Sequence, residues 1–124
     1  MNTERLLLLT VFFTLAASVA RAEIFDFDSA AIDSMPPGWS VAMTHDGGQP
    51  HWAVVGADEG GQALAQLSSD RTSQRFPLAI LTRESLRDGT LSVRFKPISG
   101  RVDQAAGLVW RYRIENNYYI VRAN

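Results

Sequence analysis

Gly107-Leu-Val-Trp110-Arg-Tyr-Arg-Ile-Glu115-Asn-Asn-Tyr-Tyr-Ile120-Val-Arg-Ala-Asn124 is the stretch that decides the fold. Two runs of strand-forming residues flank the polar Glu115-Asn116-Asn117, so the segment predicts a β-hairpin. Alternation puts Leu108, Trp110 and Tyr112 on one face of the first run, with Val109, Arg111 and Arg113 on the other. In the second run Tyr118, Ile120 and Arg122 oppose Tyr119, Val121 and Ala123. Neither strand has a clean polar side. Mixed aromatic and arginine faces of this kind line grooves that are half-buried yet polar.

Working back from the hairpin, the same rhythm continues. Leu91, Val93 and Phe95 alternate with Ser92, Arg94 and Lys96, which predicts a half-buried antiparallel strand ended by Pro97. Asp88-Gly89 is a turn pair before it. Further strands are predicted over 78–82, 62–67, 51–55 and 39–43. The segment 24–28 is a first strand, with Phe25 and Phe27 sharing a face. Met35-Pro36-Pro37-Gly38 is a rigid turn. Residues 44–50 and 56–61 read as loops, and 68–76 as a polar, mobile stretch. Strands spaced in this way with turn chemistry between them predict an all-β antiparallel sandwich of the jelly-roll kind. Parallel pairing would need helical crossovers for which there is no room. The last strand meets the end of the sequence with no partner after it, so the sandwich is expected to be incomplete at the C-terminus, with an open edge prone to pairing with other chains.

The N-terminus reads as a targeting segment. Arg5 precedes the uncharged apolar run 6–19, and Ala20-Arg21-Ala22 fits the small-x-small cleavage rule, so residues 1–22 are expected to be a signal peptide and 23–124 one mature domain. The run is shorter than the roughly 18 apolar residues of a spanning helix; an uncleaved anchor is the alternative. The protein is therefore expected to be exported, periplasmic or secreted, with no membrane association after cleavage. The net charge of −1 calls for neither nucleic acid nor an anionic surface. There is no cysteine, which removes disulfides, thiol catalysis and cysteine-held metals. Lys96 is the only lysine among twelve basic residues. Arginine favours planar bidentate contacts, and compositional bias explains the same usage.

Aromatic rings stack on the C–H faces of sugars, and their polar atoms add directed hydrogen bonds. Trp110, Arg111, Tyr112, Asn117, Tyr118 and Arg122 are the ligand-binding candidates on this ground. Trp39 and Trp52 read as core. A glycosidase needs two carboxylates about 5–10 Å apart. Asp26 and Asp28 are roughly 7 Å apart on one face if extended, but edge polarity accounts for them, and no catalytic residue is assigned. His45-Asp46 and Asp58-Glu59 are loop residues that could share a calcium ion, yet calcium takes six to eight oxygens. No cofactor is assigned.

Taken in order, Phe25-Asp26, Pro37-Gly38-Trp39, Trp52 with Val54, Leu64-Gln66, Asp88 to Phe95, Ala106 to Tyr112 and Asn117 to Asn124 resemble a concanavalin A-like (laminin G-like) jelly-roll domain. The similarity is to exported bacterial versions related to 3-keto-disaccharide hydrolase-type domains. The resemblance implies a two-sheet antiparallel sandwich whose concave face binds saccharide, with Arg111, Tyr112, Tyr118 and Arg122 on or near it. It also implies further strands following those seen here. The fold hosts lectins, hydrolases and adhesive modules alike. The expectation is a non-catalytic carbohydrate-binding or adhesion module. A glycoside-processing hydrolase of the 3-keto type and a structural domain with no small-molecule ligand are the alternatives.

Overall fold

The computed structural model describes residues 21–124, so the apolar run 6–19 lies outside the described residues. Within them the chain is all-β. Its strands are β1 (Trp39–Thr44), β2 (Trp52–Gly56), β3 (Gln62–Gln66), β4 (Phe76–Leu81), β5 (Ala106–Ile114) and β6 (Asn117–Ala123). No helix among the described residues is long and apolar enough to cross a membrane.

The strands form three antiparallel pairs: β1 with β4, β2 with β3, and β5 with β6. The β2–β3 hairpin is thus inserted between the two strands of the first pair. Its turn closes with Gly60 N–H on the Ala57 carbonyl and Ala57 N–H on the Gly61 carbonyl, both 3.0 Å. Gly60 and Gly61 have φ of 91° and 76°, a run that residues with a Cβ tolerate poorly. Asp28 Oδ1 accepts the Gln62 N–H at 2.8 Å and so pins the start of β3.

β2 is the most enclosed strand. Ala53 and Val54 are 1% and 0% exposed. Consecutive strand residues point to opposite faces, so both faces of β2 are covered. Its backbone also pairs outward: Val54 N–H donates to the Ser34 carbonyl and Asp33 N–H to the Val54 carbonyl, each 2.9 Å. Leu78 of β4 is the remaining buried aliphatic side chain among the described residues. Phe25 and Phe27 both pack on Trp39, with centroids 5.8 and 5.6 Å away. The Pro36-Pro37-Gly38 turn is closed by Trp39 N–H on the Pro36 carbonyl at 3.2 Å.

Three expectations are corrected. Residues 24–28 form no strand: Asp26 Oδ1 takes the Asp28 N–H at 3.1 Å and Phe27 sits at φ 63°, a local turn that breaks the extended run. Residues 91–96 also form no strand. Alternation supplies a side-chain pattern, but a strand exists only where a neighbour accepts its ladder, and none runs beside it among the described residues. Val93 and Phe95 instead line a shallow hollow together with Gly107, Leu108 and Val121. Thr44 and Phe76, read as loop, are paired with each other at the end of the β1–β4 ladder.

At Gly107 the backbone of β6 lies close against β5. A Cβ there would meet the Val121 carbonyl oxygen and lie 2.7 Å from Arg122 Cα. Gly107→Ala is expected to part the hairpin and cost about 1–3 kcal/mol. Gly56→Ala, with nothing within 4 Å of the added atom, is the neutral control. Urea denaturation midpoints of the two variants check this.

Candidate functional site

The hairpin carries the aromatic residues, and its register decides which of them meet. Gly107 to Trp110 pair in step with Arg122 to Tyr119, but the next matched pair is Ile114 with Asn117. β5 therefore spends four residue steps where β6 spends two. Arg111 absorbs the excess at φ 51°.

This irregularity sorts the rings onto opposite faces. Trp110 stacks on Tyr119, with centroids 5.7 Å apart and planes 19° apart. Tyr112 stacks on Tyr118 at 6.1 Å and 29°. Tyr118 and Tyr119 are neighbours on a regular strand and point to opposite sides. Hence Trp110 and Tyr112 do not share a face, contrary to simple alternation. The Arg111 guanidinium lies 6.0 Å from the Tyr119 ring. The Arg122 guanidinium lies 5.5 Å from the Phe76 ring, on the Tyr118 side. The six sequence candidates are thus divided. Tyr112, Tyr118 and Arg122 gather on one face, Trp110 and Arg111 on the other. Asn117 opens β6 opposite Ile114, exposed.

The first face holds a hollow of about 190 Å³ lined by Phe76, Tyr118, Ile120 and Arg122. Phe76 and Ile120 make it apolar, while the Tyr118 hydroxyl and the guanidinium make its rim polar. Asp103 Oδ2 holds Arg122 at 2.7 Å and fixes where the guanidinium sits. Arg122 keeps further N–H donors beyond the one that bond uses.

Thr44 joins this face to the rest of the molecule. It is the buried polar side chain among the described residues, 7% exposed. Its hydroxyl donates to the Glu115 carbonyl at the hairpin tip. That uses its one proton, so at the 2.6 Å contact with Tyr118 the phenol is the donor. Burial first, then the Glu115 carboxylate and Tyr118, push the neighbouring Tyr112 phenol above its ordinary pKa.

A second polar cluster ties the loop after β1 to the loop before β4. Asp70 accepts N–H groups from Gly48 at 2.6 Å and Thr72 at 2.7 Å. Arg75 donates to the Gly48 carbonyl at 2.8 Å and the Ser68 hydroxyl at 3.1 Å. The stretch read as mobile is therefore cross-linked by hydrogen bonds. The Thr72 hydroxyl and N–H, then the Gly48 N–H, and lastly Arg75, hold the exposed Asp70 carboxyl at about 2.

Three of the carboxylates considered for calcium and catalysis have partners within the protein. Asp58 pairs with Lys96 at 3.2 Å, and Asp26 and Asp28 cap backbone N–H groups. Among the described residues no three potential ligands cluster as a metal site. Arg94 is exposed on the strandless segment. Sequence reasoning missed Thr44, Phe76 and Asp103, because their roles arise from long-range contacts that leave no local pattern. Trp52, read as core, has a buried Nε1 without a partner.

No known protein family, curated protein or solved structure matches the chain.

Two outcomes are expected from this geometry. Thr44→Val keeps the shape but strands the Glu115 carbonyl and the Tyr118 hydroxyl, costing about 1–3 kcal/mol in a denaturant titration. Asp70 has a folded pKa below its unfolded value of about 3.9, so its stabilising effect is present above that value and fades as pH falls toward about 2. The difference in unfolding midpoint between wild type and Asp70→Asn should shrink between pH 4 and pH 2, and the Asp70 carboxyl ¹³C shift should titrate near 2.

Proposed function

We propose that the protein is an exported, non-catalytic carbohydrate-binding or adhesion module, with residues 23–124 belonging to a concanavalin A-like jelly-roll sandwich. The all-β antiparallel pairing supports that architecture, and the targeting character of residues 1–22 supports export.

The single observation carrying the functional reading is the hollow formed by Phe76, Tyr118, Ile120 and Arg122. A pyranose has an apolar C–H face and a rim of hydroxyls. Phe76 and Ile120 match the first, and the free guanidinium donors of Arg122 match the second. Arg122 is positioned by Asp103 before any ligand arrives, so less side-chain freedom is lost on binding. A lightly acidic sugar would share the guanidinium with Asp103. A neutral one would use its remaining donors. The Trp110–Tyr119 pair, with Trp110 38% and Tyr119 58% exposed, is a second stacking surface on the reverse side.

Glycan-array screening followed by calorimetry tests this. Arg122→Ala is expected to weaken saccharide binding about tenfold or more, roughly 1.4 kcal/mol, and Trp110→Ala to leave it within twofold. The reverse pattern moves the ligand to the Trp110–Tyr119 face. Absence of any saccharide binding by the folded protein overturns the reading, and turnover of a 3-keto or ordinary disaccharide replaces it with the hydrolase.

A further inference from the structure

Among the described residues β6 is hydrogen-bonded only to β5. It is seven residues long and contains no proline and no bulge. Four other strands carry the usual protections: β4 contains Pro77, β2 and β3 have five residues each, and the irregularity of the hairpin falls on β5; β1, six residues without proline or charge, is the shorter unprotected strand. The side chains flanking the outer edge of β6 are apolar and exposed on both faces: Tyr119 58%, Ile120 47% and Val121 57%. The one charge on the strand, Arg122, is already compensated by Asp103. A regular, unprotected, nearly uncharged strand edge is a template for another strand.

We propose that this edge is a self-association surface on which a second copy of the chain adds its own β6, antiparallel, to give one continuous four-stranded sheet. The occupant follows from the strand's self-complementarity. A two-fold axis normal to the ribbon keeps like faces together, so each residue can oppose only residues of its own face. Centring on Ile120 is the register that uses the whole strand. Ile120 then faces Ile120 of the second copy, Tyr119 faces Val121, Tyr118 faces Arg122, and Asn117 faces Ala123. The inner pairs are apolar, aromatic with β-branched, and arginine with aromatic, the outermost is asparagine with alanine, and no like charges meet. The edge bonds through its backbone, but Tyr118, Ile120 and Arg122 also line the hollow, so cross-linking and mass, read without saccharide present, test the association separately from the saccharide reading.

The absence of cysteine makes the register testable with single substitutions. In an antiparallel pair, directly opposed Cα atoms are about 4.5–5.5 Å apart, within disulfide range. Ile120→Cys is therefore expected to convert mostly to a disulfide-linked dimer under mild oxidation. In Tyr119→Cys the two sulfur-bearing residues would be displaced by two positions, roughly 8 Å between Cα atoms, beyond the ~7 Å limit; it is expected to stay reduced. Sedimentation of the unmodified protein should show a mass rising with concentration toward twice that of a single chain, and Ile120→Lys, which sets like charges opposite each other, should return it to one. Circular dichroism confirms that each variant is folded. A single-chain mass at every concentration together with no disulfide in Ile120→Cys overturns the proposal. So does equal cross-linking of the two cysteine variants, which would indicate unspecific collision.

Discussion

The placement of the β5–β6 hairpin depends on the hydroxyl of Thr44. A two-stranded ribbon is marginal in water by itself, and this one buries none of its own side chains fully. It must borrow order from the β1–β4 pair. Thr44 provides it at the end of β1, where burial makes an unmade hydrogen bond expensive. One proton reaches the hairpin tip at Glu115 and one phenol reaches back from Tyr118, so both ends of the turn are referenced to β1. The Phe76–Arg122 contact adds a second anchor further along β6, at Arg122 where the first is at Tyr118. The hollow lies between these two anchors, and its shape follows from them.

The bulge at Arg111 then determines which chemistry that hollow holds. With regular alternation, Trp110 and Tyr112 would have formed a single aromatic stripe. The left-handed residue divides them, so each face receives one stacked aromatic pair and one arginine. The Tyr112–Tyr118 side meets Phe76, at the start of β4, and the hollow forms there. On the Trp110–Tyr119 side, Val93 and Phe95 of the strandless segment line a more open hollow with Leu108 and Val121. Two surfaces of similar composition therefore differ in enclosure, and enclosure is what separates a binding hollow from a stacking patch.

Much of the architecture was readable from residues alone. The final hairpin, β2 and β3 appear within a residue or two of where alternation and turn chemistry put them, because β-branched and aromatic runs bounded by glycine act locally. Phe25 and Phe27 were rightly grouped, since both reach Trp39, although a turn and not a strand delivers them. Local pattern failed wherever a distant partner decides. Leu91 to Lys96 has the right alternation and no ladder. Thr44 looks like any loop hydroxyl until Glu115 and Tyr118 arrive from more than seventy residues away. The division of the hairpin rings was illegible for a different reason: nothing in Trp110-Arg111-Tyr112 marks Arg111 as the residue that takes the positive φ.

Sparse burial links the stability of the fold to whatever binds it. Ala53, Val54 and Leu78 anchor the first two ribbons, while the hairpin is attached through a few polar and stacking contacts. A ligand seated between Phe76 on β4 and Tyr118 on β6 would touch both bodies at once and reinforce the contact that Thr44 makes. Binding to the docked arrangement in preference to the undocked one stabilises it by mass action. A strand added to β6 would act in the same direction from the other side, since it would convert a marginal ribbon into the interior of a wider sheet. Such a strand would cover part of the exposed Tyr119, Ile120 and Val121, and the order of the hairpin would then depend on occupancy as well as on the hairpin's own sequence.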